Sequence, residues 1–156
     1  MKTLVSPQEV TTILFGSVHT LEERAIPLCS ILSAEQSFLL PAVGKELYDV
    51  LRASTPDSRN AGFVEEYLKQ PLALYVASRL LPTIAVKVGS AGVVRLAGES
   101  FEAVDEVALH KVVVRMRAEA DTLLARATYY LASHPDEFPD YAPAQRTHHI
   151  VGGVVM

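Results

Sequence analysis

Apolar positions recur at helical spacing along most of this 156-residue chain, and at alternating spacing in one short stretch. Ser6-Pro7-Gln8-Glu9 has the form of a capping box with proline at the first helical position. It predicts a short helix over 7–15, stopped by Gly16. Thr20-Leu21-Glu22-Glu23 repeats the capping signature. Pro27 lacks a backbone N–H and belongs in a first turn, so the next helix is expected over about 26–39, with Leu28, Ile31, Leu32, Phe38 and Leu39 on its apolar side. Pro41 should end it, and Gly44 should open another over about 45–52. After a polar loop at 54–60, a third helix is expected over about 61–81, with Pro71 kinking it or starting a new segment.

The pattern then changes. Ile84, Val86 and Val88 alternate with Ala85 and Lys87, Gly89-Ser90-Ala91-Gly92 is turn chemistry, and Val93, Val94 and Leu96 follow. This predicts a small β-hairpin near 84–96, which needs support from helices or a neighbouring subunit. The longest helical pattern covers about 103–133. Its Leu109, Val113, Met116, Ala120, Leu123, Ala127 and Tyr130 alternate at spacings of three and four, a seam for other helices. Roughly 30 residues make a rod of about 45 Å. The fold class expected is mainly α: a helical bundle with one long C-terminal helix, the hairpin and an extended C-terminal tail. The organisation expected is a single helical domain over 1–141 and the tail over 142–156.

That tail closes on Ile150, Val151, Val154 and Val155. Exposed β-branched residues have nothing to bury against, so these four are candidates for docking on a neighbouring chain by strand addition. The alternatives are packing on their own domain, or a frayed end. Val86, Val88, Val93 and Val94 of the hairpin are the other candidate partner-binding residues.

Composition narrows the classes. Hydrophobic residues are 49% and charged residues 21%, ordinary globular usage. The 14 basic residues are scattered among 18 acidic ones, net −4, which argues against a dedicated duplex-binding face. Cys29 is the single cysteine, so no intramolecular disulfide can form, and its apolar surroundings predict a buried thiol. The opening residues have no apolar core of a secretion leader. The run 72–86 is broken by Arg79 and Pro82 and is too short for a membrane span, so a cytosolic setting is expected.

Catalytic chemistry is hard to find. His19, His110, His134, His148 and His149 form no metal-ligand motif, and no phosphate loop or nucleophile elbow is present. Glu22-Glu23, Glu65-Glu66 and Asp105-Glu106 sit near helix starts, where negative charge suits the dipole. Tyr129, Tyr130, Phe138 and Tyr141 are expected to pin the tail to the long helix. No catalytic residue, metal site or cofactor is expected.

One stretch carries a likeness: Ala34-Glu35, Phe38-Leu39, Pro41-Ala42-Val43-Gly44 and Glu46-Leu47-Tyr48-Asp49. With the kinked helix 72–81, the Ala91-Gly92 turn, the long helix and Phe138-Pro139-Asp140-Tyr141, in that order, the chain resembles the small helical head–tail connector (adaptor, or head-completion) proteins of tailed bacteriophages. The branch it is most similar to is found in phages and prophages of Bacteroidetes-type bacteria. The resemblance implies a non-enzymatic virion protein at the neck, present in the host cytoplasm before assembly. It implies an oligomeric ring, usually twelve-fold, that binds the portal protein, meets tail or stopper proteins and extends the channel through which DNA passes without specific binding. Another neck or tail-completion protein, a non-viral cytosolic helical adaptor, and a small enzyme using Asp105, His110 and Arg115 are the competing readings.

Overall fold

The computed structural model describes residues 2–16, 26–53, 57–84, 86–89, 92–95, 106–143, 150–151 and 154–155, without the side chains of Phe15, Ile84 and the strand residues. Helix α1 is Pro7–Phe15, and its capping box forms as the sequence predicts. The Glu9 N–H donates to Ser6 Oγ at 3.2 Å, and the Ser6 N–H donates to Glu9 Oε2 at 2.7 Å. Gly16 ends the helix at φ +67°.

Next come α2 (Leu28–Ala34), a π-helical turn (Glu35–Leu39), α3 (Leu40–Val43) and α4 (Lys45–Leu51). Pro41 does not end the helix as expected. The wide turn before it, in which the Leu40 N–H reaches back to the Glu35 carbonyl, shifts the register. The proline ring is thereby spared the carbonyl it would otherwise strike. The chain breaks at Gly44 instead. Helix α5 (Ser58–Phe63) is capped by Asp57, and a second π turn (Val64–Leu68) leads into α6 (Lys69–Ile84). Here too the wide turn comes just before a proline, Pro71, which is buried.

Helix α7 is Glu106–Ser133. α6 is the central element, and α1, α2 and α7 all pack on it. It contributes Leu72, Ala73, Tyr75, Val76 and Leu80 to the core, and α7 contributes Ala120, Leu124, Ala127 and Leu131. The expected seam therefore keeps its period but moves in phase: Leu124 and Leu131 are buried, whereas Leu123 and Tyr130 are only partly so.

The mainly α class holds, but the hairpin expected near 84–96 must be corrected. Thr83 and Ile84 belong to the last turn of α6, where the Thr83 hydroxyl donates to the Arg79 carbonyl at 3.3 Å. The strands pair only two by two, so the helical fold carries no larger sheet among its described residues. Among the described residues, strand pairing is limited to short antiparallel pairs: β1 (Val86–Gly89) with β2 (Gly92–Arg95), and β3 (Ile150–Val151) with β4 (Val154–Val155). An alternation of three or four residues is too short to separate a strand from the end of a helix. Among the described residues, no helix is long and apolar enough to cross a membrane.

Candidate functional site

A groove of about 610 Å³ opens where the first π turn, α3, α6 and α7 meet. Ser37, Phe38, Pro41 and Ala42 form one side, and Asp121, Leu124, Ala125 and Thr128 of α7 the other. Tyr75 is the floor, and Pro143 closes one edge. Phe38 lies flat on Tyr75, with ring centroids 4.1 Å apart and planes within 2°. The Arg117 guanidinium sits 5.3 Å from the Phe38 centroid, a cation–π contact on an exposed rim. Tyr75 donates its hydroxyl proton to Asp121 Oδ1 at 2.5 Å. Burial, and then this carboxylate, push the Tyr75 hydroxyl well above its usual value, so it stays a donor. The groove thus has mixed walls, apolar at Phe38, Pro41, Ala42 and Leu124 and polar at Ser37, Thr128 and the Asp121 carboxylate, over a rigid aromatic floor.

A second polar feature lies under the N-terminal segment. Glu35 is fully buried, yet it is satisfied: it accepts the Leu4 N–H at 2.6 Å and the Tyr48 hydroxyl at 2.8 Å. The segment is held further by Arg52, which donates from Nε to the Lys2 carbonyl at 3.2 Å, and by Lys2 Nζ, which donates to the Ala53 carbonyl at 2.5 Å. Burial raises the Glu35 carboxyl above the ordinary range, and the two hydrogen bonds and Arg52 only partly offset it. Glu9 goes the other way. Burial works to raise it, but hydrogen bonds from Lys69 and Ser6 outweigh that and lower it.

The sign of the Glu35 effect follows from linkage. Between its ordinary and its raised value, the folded state keeps a proton that the unfolded state has lost. The site's contribution to stability is complete below the unfolded value and declines as pH rises through the folded one. Glu35→Gln keeps an acceptor for Leu4 and a polar partner for Tyr48 but cannot titrate. Denaturant midpoints from about pH 4 to about pH 8 are expected to decline less for this variant than for the parent. An unchanged slope would assign the pH dependence to other groups. Glu35→Ala is expected to cost about 2–4 kcal/mol throughout, because it leaves two donors unpaired around a cavity.

The C-terminal turn is also fixed. Phe63, Tyr67 and Tyr130 stack on one another, Tyr130 stacks on His134 at 4.2 Å, and Phe138 packs against Phe63 at 5.1 Å. Arg59 Nη1 donates to the Glu137 carbonyl at 3.0 Å. Of the expected aromatic cluster, Tyr130 and Phe138 take part, while Tyr129 is 76% exposed. Beyond them the chain crosses Gly44 so closely that a Cβ there would lie 2.0 Å from the Ala142 carbonyl oxygen.

The sequence-predicted binding residues do not converge on this groove within what is described. Val86, Val88, Val93 and Val94 are placed by backbone pairing alone, as are Ile150, Val151, Val154 and Val155, and their side chains fall outside the described residues. His148, His149, Asp105, Glu22 and Glu23 also fall outside them. His110 and Arg115 stand exposed on α7. Cys29, expected to be buried, is exposed: α2 begins at Leu28, and its first turn, with Leu28 and Cys29, faces solvent while Ile26 and Ile31 turn inward. Among the described residues no three His, Cys, Asp or Glu side chains gather as metal ligands. Sequence reasoning missed Glu35 and the Phe38–Tyr75 stack. The signal for Glu35 was present, since it lies four residues after Ile31, on the buried face.

No curated protein and no solved structure matches the chain. The family model for DUF6712, a family of unknown function, matches residues 39–150, from the end of the first π turn through α7 to Ile150, and the chain belongs to that family.

Proposed function

We propose that this protein is a structural subunit of a head–tail connector ring in a tailed bacteriophage, joining the portal to the tail and extending the DNA channel. The observation that carries the reading is the form of α7. From Glu106 to Glu119 it buries none of its residues, and Val107, Val112 and Val114 are 58%, 45% and 50% exposed. At 1.5 Å per residue this is about 20 Å of helix beyond the subunit's own core. Val107 and Val114 share one side of the helix and Val112 stands on another, and exposed apolar positions of this kind suit a heterologous contact, in which one face of each copy meets a different face of the next. The order of motifs around Phe38-Leu39 and Pro41–Gly44, which resembles that of connector proteins, supports the same role.

The role is mechanical rather than catalytic. Exposed α7 carries Lys111, Arg115 and Arg117 and, after them, Glu119 and Asp121, a balance of signs that would let a duplex pass without holding it. The test is the mass of the full chain by light scattering over a concentration series, with and without a candidate portal protein. A ring-sized species, alone or with portal, is expected. A strict monomer in both conditions would overturn the proposal.

A further inference from the structure

We propose that the groove over Tyr75 is the seat of the chain's own terminal segment, 144–156, which folds back into it in the free subunit. The first argument is where the segment starts. The chain passes over Gly44 with its Ala142 carbonyl, and the next residue, Pro143, is itself part of the groove wall. Everything after Pro143 therefore begins at the groove. The second argument is reach. Residues 144–149 span up to roughly 20 Å when extended, and the α7 edge from Asp121 to Thr128 is about 10 Å long.

The third argument is complementary chemistry. Phe38, Pro41, Ala42 and Leu124 make apolar walls, and the segment ends in Ile150, Val151, Val154 and Val155. Backbone pairing of Ile150 with Val155 and of Val151 with Val154 brings these four together. Among the described residues of the wall, Asp121 is the one ionisable group besides the Tyr75 phenol, and one of its oxygens accepts from Tyr75. The segment carries Arg146, His148 and His149 and no acidic side chain. Tethering then favours the segment's own groove, because a short linker holds its tip at an effective concentration of about millimolar. Docked there, the tip covers apolar wall in the free subunit and is available for exchange to another surface on assembly.

The test is disulfide trapping in the full chain, with Cys29→Ser removing the exposed native thiol. Ala125→Cys stands on the exposed edge of the groove and is paired with Ile150→Cys. The control pairs Ile150→Cys with Gln70→Cys, exposed on α6 and about 140° around that helix from Tyr75. At low micromolar protein under mild oxidation, the Ala125/Ile150 pair is expected to give an intramolecular disulfide, seen as a faster monomer band on a non-reducing gel, at several-fold the control yield. A disulfide-linked dimer as the main product would overturn the proposal by placing a second copy's segment in the groove. A yield equal to the control's would overturn the groove itself. The readout concerns single subunits, so it stands or falls separately from the ring.

Discussion

Gly44→Ala is expected to lower stability by about 4 kcal/mol, for two reasons that add. Gly44 sits at φ +86° and ψ 157°, a region that is essentially closed to residues with a side chain. Its Cβ would also lie 2.0 Å from the Ala142 carbonyl oxygen and 2.6 Å from the Ala142 carbonyl carbon, which are backbone atoms and not the movable end of a side chain. Gly16 separates the two causes. It too has positive φ, +67°, but nothing lies within 4 Å of its added Cβ. Gly16→Ala should therefore show the backbone cost alone, about 1–2 kcal/mol. Urea midpoints at constant slope measure both. Equal losses would mean that the 141–143 stretch lifts from the corner at no cost, and that the groove's Pro143 edge is not fixed. A loss at Gly44 well beyond that at Gly16 would establish the corner as the seat of the C-terminal turn.

Gly44 also marks how far the fold was legible. Local, covalent signals read correctly: the Ser6–Glu9 capping box, the stop at Gly16, the break at Gly44 and the period of α7. Each depends on a few adjacent residues whose own chemistry sets the backbone. Signals that depend on partners distant in sequence did not. The π turns at Glu35–Leu39 and Val64–Leu68 carry the helices past Pro41 and Pro71, and no residue type announces a wide turn. Cys29 sat in an apolar context, but one turn of helix rotated it to solvent. Glu35 falls on the buried face four residues after Ile31, but the groups that satisfy it, on Leu4 and Tyr48, are 31 and 13 residues away, and no local window shows them. The groove draws its wall from Ser37 to Pro143, and no motif spans such a distance. The proposed role draws on resemblance and on the exposed length of α7, since the described groove wall offers shape and one carboxylate as its chemistry.

Leu131→Asp should abolish folding, or nearly so, and Leu123→Asp should not. Leu131 is fully buried in the core cluster, one helical turn from Ala127, whereas Leu123 is half-buried beside it. Removing the Leu131 side chain alone would cost about 3–5 kcal/mol, and the carboxylate then adds desolvation with no cation among the residues of that cluster to offset it. The sum, about 5 kcal/mol or more, matches the whole stability of many domains of this size. At Leu123 the aspartate can turn its oxygens to water, so the loss should stay near 1–2 kcal/mol. Far-UV circular dichroism with thermal melts of both variants measures the contrast. The reverse ranking would place the buried face of α7 on the 123–130 phase, the one that the three-and-four spacing predicts. Leu131 takes the inward position because of what occupies the neighbouring flank. Tyr130 spends its ring on Tyr67 at 4.6 Å and on His134 rather than on the core centre. The seam therefore rotates by about one residue, and Leu124 and Leu131 are carried inward in place of their neighbours.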